Sequence, residues 1–108
     1  MMKKLFLLLL ILPVLTVAKT PKENDPRYQY YVCVSQQAIK YSRSTEPAET
    51  AATAAIQSCL DSEEKAVDAA APGQNPMQKR NTRELFREQT LPFAIKIIMD
   101  ERMKRQSP

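Results

Sequence analysis

Two cysteines, 26 positions apart, constrain the fold of this chain more than any other feature. Cys33 and Cys59 lie on opposite sides of a turn signal at residues 44–47, each in a stretch whose apolar residues recur every three or four positions. If both stretches are helices that pair antiparallel about this turn, both cysteines lie about 18–20 Å from it. We therefore predict a disulfide, which would stabilise the fold by about 3.5 kcal/mol.

Local signals place the first two helices. Asp25 followed by Pro26 predicts a helix over residues 26–43, because Asp is a good N-cap and the first helical position needs no N–H. A second, Ala-rich helix is predicted over residues 50–71, since Ala is the best helix former. It should end before Pro72, where the chain turns.

The C-terminal third is predicted to be helical as well. Asn81 opens a capping box, so a third helix should start there and kink or restart at Pro92. Strands at residues 28–34 and 93–99 remain alternatives, because aromatic and β-branched residues are frequent in both. The fold class predicted is all-α: a disulfide-linked antiparallel helical hairpin packed on one or two C-terminal helices.

The first 18 residues have the pattern of a signal peptide. Lys3 and Lys4 precede 14 uncharged residues, fewer than the roughly 20 that span a membrane, and a small residue precedes the predicted cleavage site at Lys19. A buried helix or a retained anchor is the alternative. We expect a periplasmic or secreted protein without a transmembrane anchor after cleavage, with residues 19–108 forming a single small helical domain.

Composition excludes several kinds of active site. The chain has no His, one Gly and two Cys, so it lacks an imidazole base, a Gly-rich phosphate loop and the thiols for a four-cysteine metal site. We predict no catalytic residues, no cofactor and no metal. Asp61, Glu63 and Glu64 are interpreted as a solvated helix face, because neighbours this close on a helix do not converge on one substrate.

Basic residues concentrate near the C-terminus. Residues 19–78 carry a net charge of −2 and residues 79–108 a net charge of +4. The candidate partner-binding patch consists of Lys79, Arg80, Arg83 and Arg87. Such a patch suits an envelope protein or an anionic surface, although a solvated face is the alternative. Export and the lack of a recognised binding motif argue against nucleic acid.

Apolar and aromatic residues suggest a further contact surface. Tyr30 and Tyr41 are predicted to lie in the core, whereas Tyr28 and Tyr31 are predicted to be partly exposed. The last helix has more apolar residues than one helix face needs, so it is either the centre of the core or the interface of a homo-oligomer.

These observations predict a non-enzymatic periplasmic or secreted protein, a binding or accessory protein that acts through its surface. Two alternatives stay open. One is an enzyme with an unconventional site. The other is a thiol-redox or sensor protein that uses Cys33 and Cys59, although catalytic cysteine pairs usually lie close together in sequence.

The layout also resembles a group of small exported bacterial proteins of unassigned function. The resemblance rests on the export signal, on Ser44-x-Glu46-Pro47-Ala48-Glu49, and on Ala54-Ala55 separated by three residues from Cys59. It covers about residues 28–67 and leaves out the basic C-terminal third. It implies a periplasmic two-cysteine helical hairpin and carries no catalytic residues.

Overall fold

The computed structural model describes residues 24–106, and all regular secondary structure in that range is α-helical. The four helices are α1 (Pro26–Tyr41), α2 (Ala48–Gln57), α3 (Leu60–Ala70) and α4 (Pro76–Gln106). The predicted all-α class is confirmed, and residues 28–34 and 93–99 are helical rather than extended. The predicted signal peptide at residues 1–18 lies outside the described residues.

The start of α1 follows the predicted signal. The carboxylate of Asp25 accepts a hydrogen bond from the backbone N–H of Arg27 at 2.9 Å, and Pro26 opens the helix. The start of α2 follows its signal too, with Pro47 immediately before the helix and Glu49 in its first turn, where a negative charge is favoured.

The prediction that the last helix starts at Asn81 is wrong. The helix α4 starts at Pro76, where Asn75 and Gln78 cap each other reciprocally: the Asn75 side chain accepts from the Gln78 N–H at 2.8 Å, and the Gln78 side chain accepts from the Asn75 N–H at 3.1 Å. This is a capping box with Pro at the first helical position, so it combines two start signals where Asn81 offers one.

Pro92 neither ends nor restarts α4, which continues to Gln106. Pro92 is exposed, so the carbonyl left without its usual N–H partner lies on the solvent side of the helix. On the opposite side, Thr90 and Ala94 are fully buried. Packing of that side against the other helices holds the helix together across the proline.

The single helix predicted over residues 50–71 is divided into α2 and α3. The break lies at Ser58 and Cys59, where Cys59 has non-helical backbone angles (φ −119°, ψ 31°). The hydroxyl of Ser58 donates to the carbonyl of Ala54 at 3.0 Å, a backbone contact that competes with regular helix. Cys59 therefore precedes the first turn of α3, and the prediction of a mid-helix position for it is wrong.

The predicted disulfide between Cys33 and Cys59 is present, with 6.1 Å between the Cα atoms. It joins the middle of α1 to the α2–α3 junction and closes a loop whose ends are 26 positions apart, worth about 3.5 kcal/mol on the chain-entropy account. A disulfide is typical of a non-cytoplasmic environment. None of the helices within residues 24–106 is sufficiently long and apolar to cross a membrane.

The core is built from one stripe on each helix. Its fully buried members are mostly small or β-branched and recur at four-residue spacing on α1 and α4, namely Tyr30, Val34 and Ala38 on α1 and Thr90, Ala94 and Ile98 on α4. Alanines of α2 and α3 complete it and let the backbones approach closely. Leu60 and Leu85 are apolar but lie outside this core and are exposed.

Candidate functional site

A buried carboxylate is the main polar feature of the structure. Glu63, in the first turn of α3, is only 1% exposed, so its interpretation as part of a solvated helix face is wrong. Its neighbours Asp61 and Glu64 are exposed, as expected. A carboxylate can remain ionised in such a place only if charges and hydrogen bonds from the protein replace its lost water.

Three side chains supply this replacement. Arg87 of α4 binds the Glu63 carboxylate with both ends of its guanidinium, Nε to Oε2 and Nη2 to Oε1, each at 2.8 Å. The hydroxyl of Tyr30, on α1, donates to Oε2 at 3.1 Å. The Nε of Arg83 lies 3.7 Å from Oε1. The fork-to-fork geometry with Arg87 is the strongest arrangement for this pair, and the cluster connects α1, α3 and α4.

The cluster is the buried end of a ladder of ion pairs between α3 and α4. Lys79, Arg83 and Arg87 follow one another every four residues on α4 and therefore share a face. Arg83 also binds Glu64, and Lys79 lies 2.6 Å from Asp68 and 3.5 Å from Glu64. In the outer pairs the acidic side chains are half-exposed, so each contributes little, whereas at Glu63 the carboxylate itself is shielded from solvent although the Arg87 side chain is 42% exposed.

The ladder accounts for most of the patch predicted from the sequence. Of its four members, Lys79, Arg83 and Arg87 are paired with acidic residues of α3, and Arg80 is exposed without an ion pair among residues 24–106. The structure does not test partner binding by this patch, which stays a prediction. A charge reversal at Arg80 tests it without disturbing the ladder.

Burial and charge change the proton affinity of the groups in this cluster. Burial raises the pKa of the Tyr30 phenol above its usual value, and the negative charge of Glu63 raises it further, because ionisation would place two anions side by side. The hydrogen bonds from Arg87 to Glu63 raise the pKa of the Arg87 guanidinium. Asp68 likewise raises the pKa of Lys79.

The chemistry of this cluster is structural. Both oxygens of Glu63 are occupied by donors, and no buried side-chain nitrogen or oxygen atom in the described residues lacks a hydrogen-bond partner. Within the same residues, no three His, Cys, Asp or Glu side chains are grouped as metal ligands. A substrate would have to displace Arg87 or Tyr30 to reach the carboxylate.

A groove with aromatic walls lies between α1 and α4. It has a volume of about 380 Å³ and is lined by Tyr28, Tyr31 and Phe93, with the polar Ser35 and Gln36 beside them. The rings of Tyr31 and Phe93 pack edge to face, with 5.3 Å between their centres. Tyr28 is 49% exposed and Phe93 37%. The expectation that Tyr28 and Tyr31 are partly exposed is confirmed, and Tyr30 is buried as predicted.

Comparison of the chain with protein-family models, with curated proteins and with solved structures finds no match.

The buried pair predicts a large difference between two adjacent glutamates. Glu63→Gln removes the charge that Arg87 binds inside the fold, and we expect it to lower the free energy of unfolding by about 2 kcal/mol. Glu64→Gln, which weakens only half-exposed pairs, should lower it by about 0.5 kcal/mol. Urea unfolding followed by circular dichroism measures both. Equal losses in the two variants would contradict the role given to Glu63.

The raised pKa of Tyr30 predicts how stability responds to alkaline pH. The phenol keeps its proton to higher pH in the folded chain than in the unfolded chain. Its contribution to the free energy of unfolding is therefore complete below about pH 10 and is lost as the pH rises further. Tyr30→Phe should therefore show a shallower decline of the urea midpoint above about pH 10 than the wild type. The matched control is Tyr28→Phe, at an exposed tyrosine. A decline as steep in Tyr30→Phe as in Tyr28→Phe would refute the prediction.

Proposed function

We propose that this protein is a non-enzymatic binding or accessory protein that uses the groove between α1 and α4 to hold a segment of a partner protein. The observation that carries the proposal is the exposure of Tyr28 and Phe93 in a groove about 380 Å³ in volume. Large aromatic side chains are costly to leave in water and dominate binding energy at protein interfaces.

The composition of the groove favours a polypeptide as its occupant. Its aromatic walls suit apolar side chains, and the Ser35 hydroxyl and Gln36 amide offer hydrogen bonds to a backbone. Among residues 24–106, no charged side chain lines the groove, so a strongly charged ligand would lose its hydration there without compensation.

The same proposal places the protein outside the cytoplasm, periplasmic or secreted, with residues 1–18 as the signal that directs it there. Two observations support it: the uncharged stretch after Lys3 and Lys4, and the disulfide. The partner is then expected among proteins of the same compartment.

The finer fold belongs to the proposal as well: a disulfide-linked antiparallel hairpin packed on a single C-terminal helix. Contacts between α1 and the chain after the turn support the antiparallel arrangement, because residues earlier in α1 contact residues later in the chain after the turn. Cys33 is bonded to Cys59, and the Tyr30 hydroxyl, earlier in α1, contacts Glu63, later in the chain. Helices α2 and α3 both contact α4.

Photo-crosslinking tests the partner site. A photoreactive phenylalanine in place of Tyr28 should give one discrete adduct with a protein of the envelope or secreted fraction. The same group at Gln89, an exposed position of α4 outside the groove, should not. Unlabelled wild-type protein should compete for the adduct, and unlabelled Phe93→Asp should compete at least tenfold less well, since a charge in an aromatic contact weakens binding by about 1.4 kcal/mol or more.

Three results would overturn the proposal. The first is the same adducts from positions 28 and 89, and the second is undiminished competition by Phe93→Asp. The third is an adduct of twice the chain mass only, which would make the groove a homo-oligomer interface.

A thiol-redox function is the second candidate, and the position of Cys59 favours it. Cys59 immediately precedes the first turn of α3, where the helix dipole stabilises a thiolate. It is only 2% exposed, although Cys33 is more accessible. The redox function requires reduction by a mild dithiol in the folded protein, which mass spectrometry after thiol alkylation detects. If the Cys33–Cys59 disulfide is reduced only after the protein is unfolded in urea, it is a structural cross-link and the redox function is excluded.

A further inference from the structure

Two arginines near the end of α4 hold the turn between α1 and α2. The Nε of Arg102 donates to the carbonyl of Ser42 at 3.0 Å, and its Nη2 donates to the carbonyls of Ser44 and Glu46 at 2.9 and 2.8 Å. Arg105 donates to the hydroxyl and the carbonyl of Ser42, at 3.1 and 2.6 Å. The turn is thereby tied to a helix that begins about 30 residues later in the chain.

These contacts leave the charges of the two arginines unneutralised. Every acceptor is a backbone carbonyl or a hydroxyl, and neither guanidinium contacts a carboxylate among residues 24–106. Each guanidinium has five N–H donors. Arg102 uses three of them and Arg105 two, so five donors in fixed positions remain for another acceptor.

A third arginine lies at the same place. Arg43 is exposed, and together with Arg102 and Arg105 it lines a cleft of about 310 Å³ that the hydroxyl-bearing residues Ser44 and Thr45 also line. In the part of the chain that the structure describes, no acidic residue lines the cleft. The C-terminal ends of α1 and α4 contribute roughly −0.5 charge each, so the three guanidinium charges dominate the local field.

We propose that this cleft binds a tetrahedral oxyanion, a phosphate or sulfate group of a small molecule or of an anionic lipid headgroup. Guanidinium groups bind such oxygens in pairs, and hydroxyls donate to the oxygens that remain. Arg102 and Arg105 are held in place before the anion arrives because their other donors are bound to the turn. The site is separate from the groove of the proposed function and shares no residue with it.

Titration with inorganic phosphate, followed by amide NMR shifts at constant ionic strength, tests the site. The wild-type protein should show saturable shifts at Ser44 and Thr45. Arg43→Gln should weaken binding about tenfold, the effect of one lost charge-assisted contact. The matched control Arg80→Gln removes the same charge from an exposed position at the other end of α4 and should leave the affinity unchanged.

Vesicles distinguish the two sources of the anion. Cosedimentation with phosphatidylglycerol vesicles that is weakened by Arg43→Gln and not by Arg80→Gln would identify a lipid headgroup. Phosphate binding without cosedimentation would identify a soluble phosphate compound. The proposal is overturned if phosphate causes no saturable shifts at the turn, or if the two substitutions weaken binding equally, which indicates diffuse charge attraction. Neither result bears on the aromatic groove.

Discussion

The buried carboxylate of Glu63 is the constraint on which the packing of this protein depends. At 1% exposure it has given up its water, and it is tolerated because Arg87, Tyr30 and Arg83 surround it. These partners come from α1 and α4, so satisfying one charge on α3 fixes the positions of three helices relative to one another. The disulfide is a second link between α1 and the chain at the start of α3, and its cysteine on α1 lies three residues beyond Tyr30.

This arrangement engages most of the basic patch predicted from the sequence. The basic residues that look available in the sequence at Lys79, Arg83 and Arg87 are engaged with acidic residues of α3. The two surfaces for which binding is proposed, the aromatic groove at Tyr31 and the arginine cleft beside Ser42, are roughly 16 Å apart along α1. Their chemistry differs, since one is apolar and uncharged and the other carries three positive charges.

Local signals in the sequence predict a good part of the fold. The cap at Asp25 acts within one turn of the chain, and the disulfide follows from helix periodicity and the position of the turn. The start of α4 is harder to predict, because Asn75 and Asn81 both open plausible capping boxes and only the proline after Asn75 distinguishes them. The break at Cys59 lies in a stretch whose Ala content favours continuous helix.

The site was harder to predict because burial of Glu63 is a property of the assembled helices. Nothing in the local sequence distinguishes Glu63 from Glu64, which is exposed on the next position of the same helix. The available signal was the recurrence of Lys79, Arg83 and Arg87 every four residues, which puts three cations on one helix face. Matching that face to acids of α3 requires knowing that α3 and α4 pack together.

The central claim is that Glu63 and Arg87 stabilise the fold as one unit, and a double-mutant cycle tests it most directly. Unfolding free energies of the wild type, Glu63→Gln, Arg87→Gln and the double variant give the coupling energy between the two side chains. This account predicts a coupling above about 1 kcal/mol, because either substitution alone already breaks the pair. Losses that add to within about 0.5 kcal/mol would show that the two side chains act independently and would contradict it.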